Sequence, residues 1–226
     1  MQAVLFGSIG SVVETSELQR EAFNIVFARH GLNWHWDLAT YRALLGTPGG
    51  KSRISTYARQ SGDIADAAAI HADKTEVFAD LLRNKSPLPR PGVVESLRAS
   101  RDLGMKTALV STTDRRTIDI ALKNGTGDLE VLFDHVTSAD DGFKQKPAAD
   151  AYQSVAARLG VEPSNAVAIE DNEAGLRAAA SANMRVIAYP GANTWDHDVS
   201  TADWTARSNV FPVVLGALLA DLRDVA

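Results

Sequence analysis

The chain has 226 residues, a formal net charge of −5 and an apolar fraction of 45%, which is ordinary for a globular protein with a sizeable core. The acidic balance argues against a nucleic-acid partner, and the absence of cysteine excludes disulfides, thiolate nucleophiles and cysteine-built zinc sites. The first residues lack a basic segment, and no apolar stretch approaches the ~18 residues of a membrane span. We therefore expect a cytoplasmic protein with no membrane partner.

The first predicted strand ends without a functional side chain. Residues 3–6 are an apolar run typical of a buried strand, and the Gly-Ser-Ile-Gly sequence of residues 7–10 predicts a tight loop after it. In an open parallel sheet, ligands bind outside the carboxyl ends of the strands. Two later strands end in polar groups there, but Gly7 and Ile9 offer no side chain that could hold an anion or a metal.

Residues 15–87 are predicted to be helical throughout. A capping-box pattern at Ser16 and Gln19 predicts a helix over 16–30, which Gly31 would end. Further helices are expected around residues 41–45, after the turn at 47–53 and over 64–85. A proline-rich break follows at residues 87–92. We therefore assign residues 1–14 and 88–226 to an α/β core domain, and residues 15–87 to an inserted helical domain, called the cap below.

Beyond the break, helices and strands alternate. Helices are predicted over 94–104, 115–124, 148–159, 174–183 and 211–222, and strands over 106–110, 131–137, 166–169 and 185–189. This alternation is typical of βαβ units and predicts a Rossmann-like α/β fold with a parallel sheet.

Two groups of residues at strand ends could bind ions. Glu170 and Asp171 directly follow a buried strand and suit Mg²⁺, which prefers oxygen ligands; alternatively, Asp171 only caps the next helix. Ser111 follows another strand and precedes a helix, so its hydroxyl and the neighbouring N–H groups favour phosphate. No G-x-S-x-G elbow surrounds Ser111 and no base is identifiable, which argues against a nucleophilic serine.

Basic residues supply further candidates for anion binding. Lys146 precedes a predicted helix and could present its ammonium to an anionic ligand, although an exposed lysine is the simpler interpretation. Lys51 and Arg53 follow two glycines at a predicted helix start, which is either an anion site or a solvated helix end.

Taken together, these residues resemble the haloacid dehalogenase (HAD) superfamily of phosphotransferases, and within it the β-phosphoglucomutase-like and CbbY-like branch. The resemblance runs over nearly the whole chain and includes a cap in the same position. It implies a HAD core with a helical cap, sugar-phosphate substrates and a Mg²⁺ cofactor. It also implies phosphate contacts at Ser111 and Lys146, cap contacts at Lys51 and Arg53, and metal ligands at Glu170 and Asp171.

The resemblance fails at the residues that perform the chemistry. In that family the first strand ends in D-x-D-G-T; the first Asp attacks phosphorus, and the second acts as general acid and base. These positions are Gly7 and Ile9 here, so the nucleophile and the proton donor are both missing. A substrate-facing glutamate and histidine of the family correspond to Ser16 and Gln19.

The metal site is expected to be weakened by the same change. It loses its first carboxylate with Gly7 and retains Glu170 and Asp171. With that negative charge gone, we expect Lys146 to pair directly with Asp171 in a salt bridge that needs no metal.

Three functions remain open. In the first, the chain is a catalytically inactive HAD-like protein that binds a phosphorylated small molecule or a protein partner. The residues at positions 7, 9, 16 and 19 favour this hypothesis. Alternatively, it is a weak Mg²⁺-dependent sugar-phosphate phosphatase that uses Glu14 or a water held by Asp171. The third possibility is a structural role in an oligomer.

Overall fold

The computed structural model describes residues 1–47, 49–123 and 127–223. Within these residues, six parallel strands form one sheet in the order β3-β2-β1-β4-β5-β6. The strands are β1 (Ala3–Phe6), β2 (Lys106–Val110), β3 (His135–Thr137), β4 (Ala166–Glu170), β5 (Arg185–Ala188) and β6 (Trp204–Thr205). The parallel sheet predicted from the alternating pattern is confirmed.

Strand β1 and its neighbours β2 and β4 end at nearly the same height in the sheet. Phe6 is paired with Leu109 of β2 on one side and with Ile169 of β4 on the other. All four residues of β1 are buried, because helices cover both faces of a parallel sheet. The residues that follow β1, β2 and β4 therefore meet at one edge of the sheet.

Helices enclose the sheet and form the insertion. They are α1 (Ile9–Val12), α2 (Ser16–Arg29), α3 (Leu38–Leu45), α4 (Gly50–Ser61), α5 (Ala67–Lys85), α6 (Val93–Asp102), α7 (Arg115–Leu122), α8 (Asp150–Leu159), α9 (Glu173–Ser181) and α10 (Phe211–Arg223). Val4 and Phe6 of β1 belong to the core that includes α6 and α7, whereas Leu5 points to the opposite face, where α8 and α9 pack. Among the described residues, none of those helices is long and apolar enough to cross a membrane.

Helices α2–α5 pack around their own aromatic cluster. The Trp36 ring lies 4.6 Å from that of Phe23 and 4.7 Å from that of Phe27, measured between centroids, and all three side chains are buried. The two chain segments that lead into and out of these helices meet at an antiparallel bridge between Val13 and Pro89. This aromatic cluster is part of the same hydrophobic core as Val4 and Phe6 of β1.

Local predictions near the start of the chain were wrong in two places. Residues 7–10 do not form a simple loop: Ser8 caps the short helix α1 by accepting a hydrogen bond from the N–H of Ser11, at 3.0 Å. Ser16 does not cap α2, because Thr15 is the N-cap and the Ser16 hydroxyl donates to the Glu14 carboxylate at 2.6 Å.

Two strand predictions also need correction. The strand expected over 131–137 begins only at His135, since Leu129–Leu132 forms a 3-10 helix capped by Asp128. Strand β6 was not predicted because it is only two residues long and has no apolar run. The predicted end of the helix at residue 124 lies outside the described residues.

Candidate functional site

The carboxyl end of β1 carries one hydroxyl and no other reactive group. The Gly7 N–H donates to the Ile169 carbonyl at 2.9 Å and so continues the sheet, while the Ile9 side chain is buried in the core. Between them, the Ser8 hydroxyl donates to Oδ1 of Asp171 at 2.8 Å. The end of β1 therefore contributes one hydroxyl, which is bonded to Asp171, and no carboxylate.

Lys146 pairs with Glu170, so the expected pairing with Asp171 was wrong. The Lys146 ammonium donates to Oε1 of Glu170 at 2.5 Å, to the Val110 carbonyl at 3.0 Å and to the Gly7 carbonyl. Side chains alternate across β4, and Glu170 points to the same face as Ala168, where α8 packs. Lys146 approaches from that face, whereas Asp171 lies beyond the strand end.

The Glu170 carboxylate is enclosed by protein. It is fully buried, and its Oε1 also accepts the Tyr152 hydroxyl at 2.7 Å, while its Oε2 has no hydrogen-bond partner among the described residues. Burial raises the pKa of the Glu170 carboxyl, and the charge of Lys146 opposes this rise. Burial likewise raises the pKa of the Tyr152 hydroxyl well above its usual value.

Two glycines make room for this carboxylate. A Cβ atom on Gly7 would approach Oε1 of Glu170 and the Tyr152 hydroxyl more closely than van der Waals contact allows. A Cβ atom on Gly175, in α9, would meet the carboxylate of Glu170 in the same way. The arrangement therefore depends on the absence of a side chain at both positions.

These residues do not fit a Mg²⁺ ion of the kind that the family resemblance implies. Mg²⁺ needs oxygen ligands that can turn towards it in near-octahedral geometry. Glu170 is enclosed, and Oδ1 of Asp171 accepts hydrogen bonds from Ser8 at 2.8 Å and from Asn172 at 2.7 Å. No group of three or more His, Asp or Glu side chains that could hold a metal is found in the described part of the chain.

The alternative role of Asp171 as a helix cap is also wrong. Helix α9 is capped by Asn172, whose side chain accepts a hydrogen bond from the Gly175 N–H at 3.0 Å. Asp171 instead links the start of α1, through Ser8, to the chain after β5, since its carbonyl accepts the Thr194 hydroxyl at 2.5 Å.

Ser111 lies at the same edge of the sheet as Lys146. The residue is buried, its Oγ accepts the Thr113 N–H at 3.1 Å, and its hydroxyl hydrogen has no acceptor among the described residues. Three residues further along, Asp114 caps α7 by accepting from the Thr117 N–H at 2.9 Å. The structure thus brings Gly7, Ser111, Lys146 and Glu170 together at the carboxyl ends of β1, β2 and β4.

The four predicted cap residues divide into two pairs. Lys51 is exposed, and the Arg53 guanidinium donates to the Thr47 carbonyl at 3.0 Å. Ser16 is bound to Glu14 and also accepts from Asn193 at 3.1 Å, so its hydroxyl ties the cap to the core. Gln19 makes a contact that the sequence did not predict, because its side-chain oxygen accepts a hydrogen bond from the Lys74 ammonium.

Lys74 is a buried cation with no carboxylate partner among the described residues. Its side chain is 6% exposed, and its ammonium lies 5.0 Å from the ring centroid of Phe23 and 4.6 Å from that of Phe78. It forms no ion pair with any residue that the structure describes. Burial lowers the pKa of Lys74 to about 7, with the positive charge of Arg53 as the next cause and Asp114 opposing both.

The spacing of apolar residues in α5 could have indicated that Lys74 is buried. Lys74 follows Ile70 by four positions and precedes Val77 and Phe78 by three and four, so it lies on the apolar face of α5. A lysine in such a stripe must either extend its ammonium to solvent or be buried with a partner.

The chain after β5 joins the core to the cap. One oxygen of Glu14 accepts from Ser16, and the other accepts from the Ala192 N–H at 2.7 Å. The buried Asn193 amide donates to Glu17 at 2.6 Å. Both oxygens of Glu14, the nucleophile considered for a weak phosphatase, are therefore used in holding this segment in place.

Comparisons with known proteins agree with the fold. The family model of haloacid dehalogenase-like hydrolases matches residues 3–183. Protein CbbY of Cereibacter sphaeroides is 37% identical over 207 residues, which cover 90% of each chain. The chain therefore belongs to the haloacid dehalogenase-like hydrolase family.

Solved structures extend this comparison. The crystal structure of CbbY from Rhodobacter sphaeroides in complex with phosphate has a TM-score of 0.82 and 34% identity, covering 92% of this chain and 94% of that chain. A mutant of that protein in complex with xylulose-(1,5)bisphosphate has the same TM-score, 33% identity and the same coverage of both chains. A β-phosphoglucomutase from Clostridium difficile, at 18% identity and a TM-score of 0.78, covers 100% of this chain and 98% of that chain and shares the fold. The predicted fold class is confirmed.

Proposed function

We propose that this chain binds a phosphorylated small molecule of the sugar-phosphate type and does not hydrolyse it by the family's route. Gly7 and Ile9 stand where the resemblance places the nucleophilic and the acid/base aspartates. Glycine cannot form a phosphoryl-enzyme, and isoleucine cannot transfer a proton. The proposed core of residues 1–14 and 88–226 and the proposed cap of residues 15–87 would hold the ligand between them.

The buried ammonium of Lys74 is the observation that supports a retained ligand. A buried charge is unfavourable unless an opposite charge or several hydrogen bonds compensate it. Among the described residues, the Lys74 ammonium has one hydrogen bond, to Gln19, and its positive neighbour Arg53 increases the local charge. A phosphate group would supply the missing negative charge.

The position of this charge favours a ligand at the edge of the sheet. Asp114 raises the pKa of Lys74 and lies at the start of α7, three residues after Ser111, so the Lys74 ammonium lies near the segment that follows β2. The free hydroxyl hydrogen of Ser111 is available there for an anionic oxygen. The complexes of CbbY from Rhodobacter sphaeroides with phosphate and xylulose-(1,5)bisphosphate support this ligand class.

The core supplies less positive charge than the resemblance implies. All three N–H groups of the Lys146 ammonium donate to Gly7, Val110 and Glu170, and the Glu170 carboxylate neutralises its charge. We therefore propose that the cap, through Lys74 and Arg53, provides most of the attraction for phosphate, and that Ser111 positions it.

A thermal-shift and calorimetric screen with sugar mono- and bisphosphates tests this function. A ligand at ~100 times its Kd adds about 2.7 kcal/mol to the free energy of unfolding, so Tm should rise. The variant Lys74→Met should lose this rise, whereas Lys85→Met, an exposed lysine of the same helix, should keep it. An unchanged ligand response in Lys74→Met, or no response to any sugar phosphate, would contradict the proposal.

A phosphate-release assay on the same panel of sugar phosphates separates the two alternative hypotheses. Mg²⁺-dependent phosphate release that disappears in Asp171→Ala would indicate a weak phosphatase. If the chain neither binds nor hydrolyses any sugar phosphate, the structural role remains. Gel filtration and light scattering would then test it.

A further inference from the structure

The Lys146 ammonium lies in a site built from three oxygen atoms. Two of its acceptors are the carbonyls of Gly7 and Val110, at the carboxyl ends of the neighbouring strands β1 and β2, and the third is the carboxylate of Glu170. Carbonyl and carboxylate oxygens are also the donors that hold hard metal cations in proteins. Here an ammonium from the chain itself occupies the centre of that set.

We propose that Lys146 is the resident cation of this site, and that ligand binding at this edge of the sheet requires no divalent metal. The claim that ligand binding requires no divalent metal rests on the proposed function. Each of the three N–H groups has an acceptor, and the single negative charge of Glu170 balances the single positive charge of Lys146. The ion pair is complete without a metal.

The packing around Glu170 prevents a metal from taking its carboxylate. Lys146 and Tyr152 both bind Oε1, and Oε2 has no hydrogen-bond partner among the described residues. Oε2 is buried beside Gly175, so a divalent ion could reach this carboxylate only if the surrounding protein moved. The divalent charge would then lie beside the Lys146 ammonium, with no carboxylate at position 7 to compensate for the repulsion.

Asp171 cannot replace these ligands alone. Its Oδ1 already accepts hydrogen bonds from Ser8 and Asn172, and its main chain is fixed by the Thr194 hydroxyl. A single half-buried carboxylate binds Mg²⁺ only weakly, because the ion keeps most of its waters.

Mn²⁺ binding to the wild-type protein tests the metal part of the proposal, with the electron paramagnetic resonance of free Mn²⁺ as the signal. We expect no saturable site at millimolar Mn²⁺, and the same signal in Asp171→Asn as in the wild type. A saturable site in the wild type that Asp171→Asn removes would overturn the proposal.

The ligand part is tested by measuring the Tm shift with sugar phosphates in Mg²⁺ and again in EDTA. Equal shifts are expected, and a shift that appears only with Mg²⁺ would overturn the proposal. If no sugar phosphate shifts Tm in either condition, the proposed function fails, and the Mn²⁺ result still decides whether the metal has been replaced.

A double-mutant comparison tests the ion pair itself. Lys146→Met and Glu170→Gln each leave one buried polar partner unpaired, so each should lower Tm. The double variant should lose less than the sum of the two single losses. Additive losses would contradict the role of Lys146 as the cation that balances Glu170, and the Mn²⁺ experiment remains decisive if a variant does not fold.

Discussion

The carboxylate of Glu170 occupies the space that a side chain on Gly7 would need. A Cβ atom added to Gly7 would overlap Oε1 of Glu170, so no side chain could be added there without displacing the carboxylate. The same oxygen accepts hydrogen bonds from Lys146 and Tyr152. The missing side chain at position 7 and the buried ion pair are therefore parts of one arrangement.

This relationship predicts that Gly7→Ala destabilises the protein. The new methyl group would force the buried Glu170 to move, and overpacking of this kind costs roughly 1–3 kcal/mol. Gly46→Ala is the matched control, since Gly46 has a φ of −62° and the contact nearest to its added Cβ is an ordinary 3.8 Å from the Ala43 carbonyl. Urea unfolding measures both, and a Gly7→Ala variant as stable as Gly46→Ala would contradict the packing described above.

The buried Lys74 predicts a pH dependence of stability. Its pKa is about 7 in the folded protein and 10.5 in the unfolded chain, so the unfolded state binds more protons between these two pH values. The penalty for burying the charge is fully present below about pH 7 and is relieved as pH rises towards 10.5. Stability should therefore increase with pH over this window, and Lys74→Met should remove that increase and be more stable at pH 7.

The measurement is urea unfolding of the wild type and of Lys74→Met at several pH values from 7 upwards. His71 also has a lowered pKa because it is partly buried, but it titrates below 6.5 and so lies outside this window. A parallel pH profile of the two proteins would show that Lys74 keeps its charge throughout.

Ligand affinity should depend on pH in the opposite sense. A phosphate group binds the protonated form of Lys74, and above about pH 7 the phosphate is already fully charged. The affinity for a sugar phosphate should therefore fall as pH rises from 7.5 to 9. The charges that act on this ammonium are the positive charge of Arg53 and the negative charge of Asp114, and the Lys74 charge in turn acts on His71.

Calorimetry at these pH values tests the prediction. Binding should also take up protons, which shows as a dependence of the measured heat on the ionisation enthalpy of the buffer. An affinity that is constant with pH in the wild type would place the phosphate away from Lys74.

The contact between the cap and the chain after β5 predicts a difference between two neighbouring residues. Asn193 is buried and holds Ser16 and Glu17, so Asn193→Ala leaves their hydrogen bonds unmade and should cost about 1–3 kcal/mol. Trp195 is 57% exposed and contributes mainly a cation–π contact with Arg42 at 5.0 Å, so Trp195→Ala should cost about 0.5–1 kcal/mol. Equal losses in chemical denaturation would contradict this assignment.

The parallel α/β fold and the meeting of polar residues at one edge of the sheet could be predicted from the sequence, because both follow from the alternation of apolar and polar segments. Apolar runs ended by polar residues located β2 and β4, and their parallel order brought Ser111, Lys146 and Glu170 to one edge. The partner of Lys146 could not be predicted, because the choice between Glu170 and Asp171 depends on which face each side chain takes at the last residue of β4.

Other features needed tertiary contacts. The capping pattern at Ser16 was overridden by its hydrogen bond to Glu14, a residue outside the helix. The burial of Lys74 depends on α2, which supplies Gln19 and Phe23 from a distant part of the chain. Spacing along α5 indicated an unusual lysine, but only the packed structure shows that no described carboxylate pairs with it.

Phosphate release from a panel of sugar phosphates in the presence of Mg²⁺ tests the central claim most directly. The wild type and Asp171→Ala are compared, with ligand binding measured on the same samples. We predict release no faster than in buffer for both proteins, together with a raised Tm for the wild type. Phosphate release by the wild type that Asp171→Ala abolishes would show that the chain is an enzyme despite Gly7 and Ile9.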